Sequence, residues 1–111
     1  MKRTLNTIDY LAETEQLARI AKALGHPTRL KILIYLENQS CCFTGDLMEV
    51  IPLAQSTISQ HLKELKNAGL IKGNIDGASI CYCVDTDVLQ KANDILSKVL
   101  SASIQTPTTC C

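Results

Sequence analysis

The chain has 111 residues, 11 basic against 11 acidic side chains for a formal net charge of zero, and 46% apolar residues with three Tyr, one Phe and no Trp. That length allows one domain with a modest core, and the paucity of aromatics suits helices better than a sandwich or barrel. The neutral balance excludes a strong overall field toward nucleic acid or membrane, so any DNA contact must rest on local positive charge.

From the N-terminus, "MKRTLNTIDYLAETEQ" turns polar where a secretion signal would be apolar, and no run of about 18 apolar residues is present to span a membrane. A cytoplasmic protein with reduced thiols is expected. The spacing of Leu17, Ile20, Ala21 and Leu24 predicts a first helix over about 9–24. Gly25 suits its end and Pro27 the start of a second helix, about 28–38, burying Leu30, Leu33, Ile34 and Leu36. Two shorter helices follow at about 44–50 and 54–67, separated by "IPLA". In the second of these, Ala54, Ile58, Leu62 and Leu65 form one stripe, and Gly69 stops it. "LIKGNI" and "ASICYCV" then flank Asp76-Gly77, a dipeptide favoured in tight hairpin turns. A last helix, about 86–102, carries Leu89, Ala92, Ile95, Leu96, Val99 and Leu100, a stripe too wide for the remaining chain to cover. A partner subunit is its simplest cover. The reading is a mainly α (α+β) winged helix-turn-helix of order ααααββα, with a DNA-binding and dimerisation domain over 1–103 and a Cys-terminated tail over 104–111.

The outer face of the fourth helix offers Gln55, Ser56, Ser59, Gln60 and Lys63, with Thr57 at its boundary. Hydroxyls and amides of this size bond phosphate oxygens and base edges, and Gln reads adenine through two bonds. Lys63, Lys66 and Lys72, opposed by Glu64, give a local surplus of positive charge. An ordinary solvated helix face explains such residues equally well until the turn and hairpin are added. His26, in "GHPTR", reads as a cap or packing residue at a helix junction, and His61 as a DNA contact or a packing residue rather than a ligand.

These segments also carry a resemblance. "LGHPTRLKIL" (24–33) followed by "LAQSTISQHLKELKNAGLI" (53–71) resembles the ArsR/SmtB family of winged-helix metal-responsive repressors, over roughly residues 15–100. The resemblance implies a homodimer joined through first and last helices, bound to double-stranded operator DNA and released by an inducer, and not an enzyme. It assigns DNA contact to Gln55, Ser56, Thr57, Ser59, Gln60 and His61, with Lys63 beside them. Two departures stand out: Gln60 where many members carry arginine, and a wing tip, "NIDGAS", without the usual arginine.

The six cysteines fall in three pairs. Many family members carry "CVCDL" at the third helix; here "FTGDL" puts Phe43 and Gly45 at the usual ligand positions, so that site is absent as usually built. Cys41 and Cys42 stand just upstream, at a helix entrance where the dipole lowers a thiol's pKa, although a buried small hydrophobe is the plain alternative. Cys81 and Cys83 share one strand face, expected outward, opposite Ile80, Tyr82 and Val84 on the buried side. Cys110 and Cys111 end the polar stretch "SIQTPTTCC", nine residues able to reach on the order of 30 Å when extended. No histidine follows His61, which removes the His-rich site some members place on the last helix and leaves sulfur, hence thiophilic ions. The resemblance thus implies trivalent arsenic (arsenite or methylarsenite) or antimony as inducer, without an organic cofactor. Its ligands would come from Cys110, Cys111, Cys41 and Cys42, with Cys81 and Cys83 as weaker candidates. A redox- or persulfide-responsive repressor and a cadmium/lead-type sensor are the alternatives. A thiol enzyme using Cys81 and Cys83 lacks a convincing His partner, acid pair or phosphate loop.

Overall fold

The computed structural model describes residues 7–39, 42–77 and 79–105. Cys41, Cys110, Cys111 and the tail beyond Gln105 lie outside the described residues. The order is α1 (Thr7–Leu24), α2 (Pro27–Glu37), β1 (Cys42–Phe43), α3 (Thr44–Val50), α4 (Gln55–Asn67), β2 (Ile71–Asp76), β3 (Ser79–Val84) and α5 (Thr86–Gln105). The helix order and the hairpin are those read from the sequence. β1 is an addition: it pairs antiparallel with β3 and makes a three-stranded sheet of order β1-β3-β2. A two-residue strand has too short a period to be seen in a sequence.

α2 starts where Pro27 presets the backbone and the His26 Nδ1 accepts the Thr28 N–H at 3.1 Å, capping one of the donors a helix start leaves bare. α4 ends on a Schellman motif. Gly69, at φ 85°, donates its N–H to the Lys66 carbonyl at 2.9 Å, and Leu70 donates to the Leu65 carbonyl at 3.1 Å. Both leucines are fully buried, so the motif closes the helix and delivers the chain into β2 through the core. Glycine takes the left-handed conformation at little cost, and Gly77 opens the hairpin turn with φ 65° for the same reason. The register pairs Asp76 with Ser79, so Asp76 closes the strand and the turn begins one residue later than the dipeptide suggested.

One core joins the elements: Ile20 and Ala23 of α1, Ile32, Leu33 and Leu36 of α2, Leu47 of α3, Ile58, Leu62 and Leu65 of α4, Leu70, Ile71 and Ala92. Three sequence expectations are corrected. On α2 the buried side is Ile32, Leu33 and Leu36, while Leu30 and Ile34 are exposed. The run "LKILIYL" is apolar nearly all round, so only the position of its neighbours selects a face. On β3, Cys81 is 8% exposed and Ile80 is 42% exposed, the reverse of the expected alternation, although Tyr82 and Val84 do pack against the core. β1 pairs only with Cys81 and Tyr82, leaving Ile80 beyond its reach toward the wing tip. Finally, α5 continues to Gln105 and takes up the first residues assigned to the tail.

Leu62 has no exposed surface at the centre of this core. Leu62→Ala should lower unfolding free energy by about 2–5 kcal/mol in urea titration, the range for a large-to-small change in a packed core.

Candidate nucleic-acid interface

α3, the turn at 51–54 and α4 form a helix-turn-helix, and the β2–β3 hairpin is its wing. α4 is two-sided. Ile58, Leu62 and Leu65 have no exposed surface, while Gln55, Ser56, Thr57, Ser59, Gln60 and Lys63 are exposed. Burying the seam holds the helix rigidly against α2 and α3, so the polar side chains stand on a fixed platform rather than a loop. Its N-terminus is suited to phosphate: the N-cap is Ala54, no side chain caps the first turn, and no acidic residue lies in that turn. Bare N–H groups and the positive end of the helix dipole both favour an anion there.

Gln60 Nε2 donates to Glu64 Oε2 at 3.3 Å, so one of the predicted contact residues is engaged within its own helix. Lys63, Lys66 and Lys72 are all exposed, and the Lys66 amine lies over Gly73 of the wing. A Cβ on Gly73 would meet Ile80 Cγ2 at 3.0 Å, so the wing strand is bare there to let Ile80 and Tyr82 cross it. Ile75, 83% exposed, stands on the wing where the resemblance leads one to look for arginine.

His61 departs from its neighbours. It is half-buried, its Nδ1 accepts from Arg29 Nε at 3.2 Å, and its ring centroid is 4.4 Å from that of His26. It thus lies on the α2 side of α4, nearly opposite Ser59 and Lys63, and makes the packing contacts that were one of its two expected roles. Burial, then His26 and then Arg29 lower its pKa from the ordinary 6.5, against the opposing pull of Glu64. Arg29, which sequence reasoning passed over within "HPTRL", also donates through Nη1 to the Ala23 carbonyl at 3.4 Å. It therefore ties the C-terminal end of α1 to α2 and α4. One partner is 32 residues away and the other is a backbone carbonyl, so no spacing rule marks it.

The cysteines are only partly assembled. β1 sets the Cys42 backbone opposite Tyr82, between Cys81 and Cys83 of the next strand. Cys81 is disulfide-bonded, and Cys83 is a half-buried free thiol with Asn74 Nδ2 at 3.9 Å from its sulfur. Among the described residues, no three His, Cys, Asp or Glu side chains come together as a metal site. Cys41, Cys110 and Cys111, three of the four favoured ligands, fall outside them.

A buried-seam recognition helix, a preceding short helix and an adjoining hairpin define a winged helix-turn-helix DNA-binding protein. Residues 26–72 match the family described as "Bacterial regulatory protein, arsR family". The chain is 35% identical over 78 residues to the HTH-type transcriptional regulator YgaV of Escherichia coli K12, covering 70% of this chain and 79% of that protein. It is 40% identical over 82 residues to the HTH-type transcriptional regulator NmtR of Mycobacterium tuberculosis, covering 73% and 68%. Its fold matches the ArsR-like transcriptional regulator from Rhodococcus sp. RHA1 with a TM-score of 0.72 at 25% identity, over 83% and 86% of the two chains. The protein belongs to the ArsR family of transcriptional regulators. No helix among the described residues is long and apolar enough to cross a membrane.

Two outcomes follow from this geometry. Lys63→Ala should flatten the dependence of log affinity on log salt by about 0.9, one phosphate contact, while Ser59→Ala should leave the slope intact and cost about 1–3 kcal/mol if it meets a base. Fluorescence anisotropy on a selected duplex checks both. Because folding lowers the His61 pKa, the folded chain binds fewer protons than the unfolded one. Its contribution to stability is therefore complete above about pH 6.5 and is lost as the pH falls through the folded pKa. Thermal melts should show that loss in the wild type and a smaller one in His61→Gln.

Proposed function

We propose that this protein is a homodimeric, cytoplasmic transcriptional repressor that holds operator DNA through α4 and its wing. It lets go when a thiophilic ligand, trivalent arsenic (arsenite or methylarsenite) or antimony, is bound by cysteine thiolates. The observation that carries the DNA half is the two-sidedness of α4, apolar seam buried and polar face bare. Dimerisation is supported by α5, where Leu96, Val99 and Leu100 are 43%, 56% and 55% exposed in a row. An apolar cavity of about 210 Å³ between α1 and α5, walled by Leu17, Leu24, Leu89 and Leu96, lies beside them. A second copy covering these helices removes that apolar surface from water.

The inducer half rests on sulfur. The donor set is cysteine without a histidine after His61, and the β1–β3 register brings Cys42 opposite Tyr82, between Cys81 and Cys83. Three thiolates from Cys110, Cys111, Cys41 and Cys42 suit a trigonal, soft ion, and two suit a methylated arsenical. Ligation tying the C-terminus to the entrance of α3 would favour one orientation of the two reading helices and cost the operator its match.

A second reading, release by thiol oxidation or persulfide, is favoured by one observation: Cys81 is disulfide-bonded while Cys83 stays free. Anaerobic titration of the protein–duplex complex with arsenite, methylarsenite, antimonite, cadmium and a persulfide donor separates the two. The expected result is release by the trivalent arsenicals, with an all-sulfur shell by X-ray absorption. Changing Cys110 and Cys111 together to Ser should keep DNA affinity and abolish that release. Release by the persulfide donor alone would replace the metalloid reading with the redox one.

A further inference from the structure

Two imidazoles meet where α2 begins and α4 passes, and both use the same ring nitrogen in the same way. His26 Nδ1 accepts the Thr28 N–H at 3.1 Å, and His61 Nδ1 accepts the Arg29 Nε–H at 3.2 Å. A ring that accepts through Nδ1 carries its single proton on Nε2 and is neutral. The second proton can land only on Nδ1. For His61, protonation therefore removes the acceptor of an existing bond and turns it into a donor facing a donor. The two rings lie 4.4 Å apart.

The surroundings sharpen the effect at His61. α2 presents His26 and the Arg29 guanidinium, and α4 itself presents Glu64. α1 adds Arg19 and Lys22, which with Arg29 and Glu64 line a cleft of about 160 Å³ at the junction of the three helices. Of these, the Arg29 guanidinium and the Glu64 carboxylate act on the ring, together with His26, and burial adds to the cost of a further positive charge there. The Arg29–His61 bond is the polar tie between α2 and the DNA-reading helix, and it is charge-assisted only while His61 is neutral. When it breaks, α4 stays seated by its buried seam but loses a polar contact to α2.

We propose that Arg29 and His61, packed beside His26, form a proton-operated latch on the DNA-reading helix: the neutral His61 imidazole ties α4 to α2 in its operator-binding state, and protonation of His61 loosens that tie. This rests on the reading of α4 as the DNA-contacting helix. It predicts the opposite sign from ordinary electrostatics, since an added positive charge near DNA normally tightens binding.

The test uses the full chain and a duplex selected from a random pool at pH 7.5. Affinity is measured by anisotropy from pH 7.5 to 5.5 at constant ionic strength, with far-UV circular dichroism confirming the fold throughout. Wild-type affinity should fall by roughly five- to tenfold on acidification. His61→Gln, which keeps an acceptor for Arg29 but does not titrate, should bind equally well at both ends. Affinity that rises or stays level as the wild type is acidified overturns the latch, as does a His61→Gln variant with the wild-type profile. If no duplex is bound at any pH, the DNA reading of α4 fails, and the latch is judged on the free protein by NMR. Backbone amides of α4 moving with the His61 titration uphold it, and amides that ignore that titration overturn it.

Discussion

Ile58, Leu62 and Leu65 are sealed from water on one side of α4, and the placement of every other functional group depends on that burial. Each such side chain is stabilised by about 1.5–3 kcal/mol when removed from water, so the seam outweighs any polar contact the helix makes. It fixes which residues of α4 are left outside, and those are the amides, hydroxyls and lysine suited to a groove of DNA. The same seam continues through the Schellman turn at Gly69 into Leu70 and Ile71, which makes the wing an extension of the recognition helix's own packing.

On this apolar platform the polar ties are few and therefore informative. Arg29 reaches back to the last turn of α1 and forward to His61, giving the three helices a common polar junction beneath the DNA-facing side. His61 belongs to the recognition segment in sequence but to this junction in space.

The cysteines follow a different logic. Cys42 lies on strand β1, which precedes α3, Cys81 and Cys83 lie on β3, and the sheet sets the Cys42 backbone opposite Tyr82 between them. Chemistry that closes or opens bonds among sulfurs there acts on the wing and on the start of the helix-turn-helix together. Ligand binding at the thiolates and proton binding at the imidazoles would reach the same helix from different sides.

Helix order, the hairpin, the exposed face of α4 and the uncovered stripe of α5 were legible in the sequence because each is written in local period or in turn chemistry. The apolar spacing of Ile58, Leu62 and Leu65 identifies a buried side without any knowledge of what covers it, and Gly69 and Gly77 mark backbone conformations that few other residues adopt. Three things were decided only by the tertiary structure. α2 carries apolar residues on nearly all sides, so its buried face had to be chosen by its neighbours. Cys81 is buried and Ile80 exposed against the expected alternation, and a two-residue strand, invisible to any periodicity, pairs with Cys81 and stops short of Ile80. His61 turned inward because its partner Arg29 lies 32 residues away, and no local pattern records a contact across that separation.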